Sequence, residues 1–213
     1  MNDNFKDILE ALERKFRRGE ILNGPALLDD PLGGDLSIAG YQDRVGGRPA
    51  AVLIPLTRGE GGLNIFFTER PETMKEHPGQ ISFPGGSKAR RDKTEVETAL
   101  REAKEEIGLP PDLVKVVGEL TPYRTITHYF ITPVLGLVER DFIPVLDERE
   151  VASAFEAPLG FFLAQANARR ETRLHEGRER AYYAFDFRGH YIWGATAAML
   201  VNLREALLAF SKD

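Results

Sequence analysis

The chain has 213 residues, 42% of them hydrophobic and 29% charged, a length that buries about 70% of its unfolded surface and supports one substantial core. The absence of cysteine excludes disulfide scaffolds, thiolate nucleophiles and Cys-ligated zinc or iron–sulfur sites, so any metal is expected to be a hard cation held by oxygen. The net charge of −5 gives no general pull toward a phosphate backbone, and no nucleic-acid partner is expected.

Residues 4–17 space Phe5, Ile8, Leu9, Leu12 and Phe16 as one helical stripe. The stripe predicts a helix packed on the core, with a homodimerisation arm as the alternative. The stretch before it, Met1 to Asp7, is charged and resembles no secretory signal, and no apolar run nears the ~20 residues of a membrane span. A cytoplasmic protein without a membrane partner is expected. Residues 19–47 are rich in Gly, Pro and Asp and read as an irregular approach to a domain over 48–213.

Strands are predicted at Ala50–Ile54 and, after a Gly59–Gly62 turn, at Leu63–Phe67. Ile81–Phe83, 114–120, 130–138, Val151–Phe155 and Tyr182–Phe187 follow, with Pro133 marking an edge or a bulge. Helices are expected at 95–107, 158–166 and 195–210. Strands and helices intermingle, which points to an α/β or α+β fold with a mixed sheet. Trp193 and Gly194 read as helix packing and not as a base-stacking site.

The segment from Gly85-Gly86 to Leu109 is the most informative. Thr94 and Glu97 have capping-box spacing, and Gly108 followed by Pro110 and Pro111 ends the helix. Val96, Ala99, Leu100, Ala103 and Ile107 form its apolar face, beside which Glu95, Glu102 and Glu106 line up. Like charges four residues apart cost about 0.2–0.5 kcal/mol per pair, a cost that a divalent cation turns into coordination. A bare Glu-x-x-Glu-Glu is commonly a solvated face. Here it follows Pro84-Gly85-Gly86, where paired glycines let backbone approach a ligand closely.

The run Gly86…Arg101-Glu102-Ala103-Lys104-Glu105-Glu106-Ile107-Gly108-Leu109 resembles the Nudix box, the signature of hydrolases acting on nucleoside diphosphates linked to another moiety. Its front half departs from the general pattern, since Lys93 stands where the usual Glu would fall and Asp92 lies one position earlier. That spacing is similar to one branch, the coenzyme A pyrophosphatases, although Ala89 replaces an Asp usual there. The upstream run Thr68-Glu69-Arg70-Pro71 and Met74-Lys75 to His77-Pro78-Gly79-Gln80-Ile81-Ser82-Phe83-Pro84-Gly85-Gly86 also resembles that branch's second signature.

The resemblance implies a Nudix-type α/β/α sandwich that hydrolyses the pyrophosphate of coenzyme A to 3′,5′-ADP and 4′-phosphopantetheine. It implies Mg²⁺ or Mn²⁺ on Glu102, Glu105 and Glu106 with a carbonyl of Gly86 or its neighbour, and Arg101 orienting Glu105. Arg70, Lys75, His77 and Gln80 would meet a CoA-like nucleotide substrate. The general base is expected among the box glutamates or in the later loop carrying Glu148 and Glu150. ADP-ribose or a nucleoside triphosphate is the alternative substrate, and a non-catalytic ligand sensor the alternative class.

Overall fold

The computed structural model describes residues 47–125, 128–175 and 178–210. The expected helix at 4–17 and the approach segment lie outside the described residues. None of the described helices is long and apolar enough to cross a membrane.

The centre is a mixed sheet built on β1 (Arg48–Gly59), which pairs in parallel with β7 (Tyr129–Val138) from Arg48 opposite Tyr129 to Leu56 opposite Leu137. Period-two alternation along β1 decides what each face buries. Ala51 and Leu53 turn to one side, where α1 (Glu95–Ile107) contributes Ala99, Ala103 and Ile107. Ile54 and Leu56 turn to the other, with Phe67, Leu135 and the helices α2 (Leu159–Leu163) and α3 (Gly194–Phe210). One helix layer on each face makes the expected sandwich.

The other edge of β1 is shared. Its C-terminal end pairs antiparallel with β2 (Gly62–Glu69), as the Gly59–Gly62 turn requires. β2 then leaves β1 and takes β3 (Ile81–Ser82) at Thr68 and Glu69, while β8 (Ser153–Pro158) pairs with it from Asn64 to Glu69. The vacated N-terminal half of β1 is filled by β4 (Gly85–Ser87), with Leu53 N donating to Pro84 O at 2.9 Å just before it. Residues 81–87 thus close a splay in the sheet, and the glycine pair sits in that closure.

Several sequence expectations change in detail. β8 begins at Ser153, not Val151, because Val151 N is turned back to Asp147 O at 2.8 Å in a tight turn. The helix expected over 158–166 is a five-residue helix and a separate 3-10 turn at Gln165–Asn167. The two glycines of β4 carry no strand signal, and pairing with β1 makes the segment a strand. β5 (Val114–Glu119), β6 (Tyr123–Arg124) and β7 pair antiparallel. Pro133 lies in an interior strand and not at an edge, while the register shift falls between Val116 and Gly118 on β5. Its carbonyl accepts from Leu120 N at 2.9 Å, in the interval after β5 ends and before β6 begins. No strand partner there needs the N–H that proline lacks.

The strand expected at Tyr182–Phe187 is the end of a longer β10 (Arg178–Phe187) in a second, three-stranded antiparallel sheet with β9 (Arg169–His175) and β11 (His190–Trp193). β9 and β11 escape sequence reading because one is arginine-rich and the other short.

Candidate active site

α1 is built as its sequence predicts. Thr94 Oγ1 accepts from Glu97 N at 3.1 Å, and Gly108 ends the helix in the left-handed region at φ 69°. Burial of Ala99, Ala103 and Ile107 on the sheet fixes the helix rotation. Glu102 and Glu106, one turn apart, consequently face the glycine pair. A Cβ added to Gly86 would lie 2.7–2.8 Å from the Glu102 carboxylate, so only a glycine leaves that carboxylate its place.

Glu106 is 6% exposed. Among the described residues its carboxylate accepts one hydrogen bond, a long one of 3.4 Å from Gly85 N. Burial raises its pKa to about 8, aided by the charges of Glu102 and Glu150 and opposed by Gly85 N–H and Arg70. Burial also raises Glu102, which Arg101 counteracts. Glu105 takes a different place. It is held at the rim by Arg91 Nη2 at 2.9 Å and Arg101 Nη1 at 3.0 Å.

Arg101 is the hub of the cluster. It reaches Glu105 as expected, but it also contacts Glu102 at 2.8 Å, donates to Ser87 O at 3.1 Å and grips both oxygens of Asp92 through Nε and Nη2. Asp92 further accepts from Ala89 N at 2.9 Å and Thr98 Oγ1 at 3.1 Å, and the Arg101 guanidinium holds its carboxyl well below the usual carboxylate range. The sequence reading noticed Asp92 only as an off-register acid. Its signal was the distance to Arg101, nearly that of the missing box Glu. Ala89, where an Asp is usual, enters the network through its backbone.

Removing that anchor has a defined cost. Asp92→Ala is expected to lower stability by about 2 kcal/mol, because the charged hydrogen bonds to Arg101 are lost, while Thr98 Oγ1 keeps Thr94 O as its acceptor. The contribution is full above the ordinary value of 3.8 and is lost only as pH falls below it, since the folded-state pKa is depressed. Denaturant unfolding of the two proteins at pH 7 and pH 3 measures both the cost and its loss.

The remaining expected residues divide. Arg70 is half-buried at the start of the loop between β2 and β3, its N–H donating to Gln80 O at 3.0 Å. Its charge acts on Glu106, and among the described residues its buried Nε has no hydrogen-bond partner. Lys75 and His77 are exposed on the same loop, with His77 at φ 56°. Asp147 N donates to Glu106 O at 2.9 Å and Val145 N to Ile107 O at 3.0 Å, which ties the loop of Glu148 and Glu150 to the end of α1. Both glutamates are exposed there, and the Glu150 charge raises both Glu102 and Glu106.

Among the described residues no three acidic or imidazole side chains converge on one point, since Arg101 draws Glu102 and Glu105 toward itself. The donor chemistry still fits a hard divalent cation. Two glutamates one turn apart, the inner one buried and almost without donors, stand beside backbone that approaches closely. Such carboxylates offer the oxygen ligands that a hard divalent cation takes, although Glu102 also has Arg101 as a partner.

An α/β/α sandwich with two carboxylates of one helix facing a glycine strand is an arrangement that suits metal-assisted hydrolysis. Residues 47–182 match the NUDIX domain family, and the chain belongs to it. It is similar to the Nudix hydrolase NudL of Enterobacter sp. (strain 638), 36% identical over 168 residues that cover 76% of this chain and 84% of that one. It is also similar to Nudix hydrolase 15, mitochondrial, of Arabidopsis thaliana, 39% identical over 75% of this chain and 59% of the other. Among solved structures, the Nudix hydrolase RenU of M. smegmatis shares the fold, with a TM-score of 0.52 and 20% identity over 76% of this chain and 86% of that chain. The protein is thus an enzyme, a Nudix pyrophosphohydrolase, of a family that generally depends on a divalent metal.

Proposed function

We propose that this enzyme hydrolyses the pyrophosphate bond of coenzyme A or an acyl derivative, giving 3′,5′-ADP and 4′-phosphopantetheine or its acyl form. One observation supports this reading above others. The loop whose sequence resembles the coenzyme A branch opens with Arg70, whose buried Nε has no partner among the described residues and whose charge acts on Glu106. A guanidinium so placed suits a phosphate oxygen. Lys75, His77 and Gln80, on the same loop, are the further substrate contacts.

Glu102 and Glu106, with a carbonyl from Gly85 or Gly86, would hold Mg²⁺ or Mn²⁺, and Glu105 completes the set from the rim. When bound, the cation neutralises pyrophosphate oxygens and acidifies water. The chain's own residues prepare the rest. Arg101, fixed by Asp92, sets the positions of Glu102 and Glu105. Glu150 is the favoured general base in the later loop because its charge is felt at both inner glutamates.

Chromatographic product analysis tests the reading. Purified protein with coenzyme A and Mg²⁺ or Mn²⁺ is expected to release 3′,5′-ADP, and Arg70→Gln to raise KM. Cleavage of ADP-ribose or a nucleoside triphosphate but not coenzyme A would overturn the substrate and keep the class.

A further inference from the structure

The second sheet ends on an open edge. β9 is its last strand, and among the described residues only β10 pairs with it. Alternation puts Arg169, Glu171 and Arg173 of β9 on the outer face, together with Tyr182, Tyr191 and Trp193. Thr172 and Leu174 turn the other way, and both are exposed, Leu174 at 69%. An open edge is a template for another strand, and charged side chains ordinarily guard it.

The charges on this edge are spaced for one particular strand. Glu171 Oε2 accepts from the Tyr191 and Tyr182 hydroxyls at 2.6 and 2.9 Å, bonds that hold its carboxyl below the usual carboxylate range. Among the described residues its other oxygen meets Arg169 Nε alone, at 3.8 Å. Arg173, two residues on, is exposed, with its guanidinium 5.8 Å over the Trp193 ring, and forms no ion pair among the described residues. An anchored acid and an unpaired base thus stand side by side on one face of the edge.

A second copy arriving antiparallel about a two-fold axis keeps each side chain on its own face. Centred on Thr172, it sets Glu171 opposite the partner's Arg173, and symmetry makes that pair twice. Thr172 then faces itself, and Leu174 comes to lie against the methylenes of Arg170. Opposite charges and paired threonines across a ladder are both favourable. Centring on Glu171 would instead set Glu171 against itself and Arg169 against Arg173, and centring on Arg173 would set arginine against arginine. Like charges directly opposite are destabilising, so charge selects a single register. A strand without that spacing meets the guard alone.

We propose that the free edge of β9 pairs with β9 of a second copy, centred on Thr172, to form a two-fold symmetric dimer. The ladder is short, so a weak, reversible dimer is expected and not an obligate one. Sedimentation equilibrium of the full-length protein should show monomer and dimer exchanging at roughly 1–300 µM. Glu171→Arg and Arg173→Glu each turn both attractive pairs into repulsive ones and should weaken self-association about tenfold. Mixed in equal amounts, the two variants regain opposite charges at both pairs and should associate as the parent does.

Glu171→Arg also gives up the tyrosine hydrogen bonds, so a second readout is taken at the centre of the ladder. The chain has no cysteine, and Thr172→Cys should give a disulfide-linked dimer on mild oxidation, suppressed when Arg173→Glu is added. A monomer throughout the range, reversals that leave the Kd unchanged, folded variants whose mixture associates no better than either alone, or an oxidised Thr172→Cys that stays monomeric would each overturn the dimer. None of these measurements needs substrate, so they stand apart from the coenzyme A reading.

Discussion

Glu106→Gln is expected to lower kcat/KM by about 10²–10⁴-fold, and at the same time to raise the stability of the metal-free protein at alkaline pH. The two effects have one cause. Burial lifts the Glu106 pKa from 4.5 to about 8, so the folded chain holds a proton that the unfolded chain has released. Folding stability contributed by this group is therefore present below pH 4.5 and declines as pH rises toward 8, where the full penalty of a buried anion applies. Glutamine fills the same space without that penalty. The melting temperature of metal-free Glu106→Gln should exceed that of the parent at pH 8.5 by about 2–4 °C, the shift expected from about 1 kcal/mol, and the gap should close near pH 5. Added Mg²⁺ or Mn²⁺ should stabilise the parent and not the variant. A variant that melts with the parent at every pH would show that Glu106 carries no such burden.

The two neighbouring glycines are expected to fail in different ways when each is changed to alanine. A Cβ on Gly85 would meet the Ala51 carbonyl oxygen and lie 2.6 Å from Val52 Cα. Those atoms belong to the central strand and cannot yield, so β4 must move off β1. Gly85→Ala should cost about 3 kcal/mol or more, read as a large fall in the denaturant midpoint. On Gly86 the same Cβ meets the end of the Glu102 side chain, which can swing away. Gly86→Ala should therefore unfold within about 1 kcal/mol of the parent yet lose most of its metal affinity and activity. Equal stability losses in both variants would contradict the placement of Glu102 against Gly86.

Legibility in the sequence followed the range of the interactions. α1 was readable to the residue, because Thr94, Glu97 and Gly108 act within a turn of the residues they cap. Glu102 and Glu106 were likewise readable as a pair on one face, since helical spacing alone aligns them. Asp92 was misjudged. Its importance comes from Arg101, Thr98 and Ala89 closing around it, which nothing in its neighbours announces. β4 and the arginine-rich β9 were missed for a related reason. Each is a strand only because another strand offers it a ladder.

By itself, then, the sequence determined the caps and apolar stripe of α1, the alternation that gives β1 two buried faces, and the box and loop residues that mark a Nudix hydrolase. These depend on periodicities and contacts a few residues long. Only the tertiary structure decided that β2 leaves β1 to make room for the glycine strand, that Arg101 takes Asp92 as its main partner while Glu105 stays at the rim, and that arginines and aromatic rings share one face of the second sheet. Each of those outcomes joins residues distant in the chain, and their energies depend on burial and register that exist only once the sheet has closed.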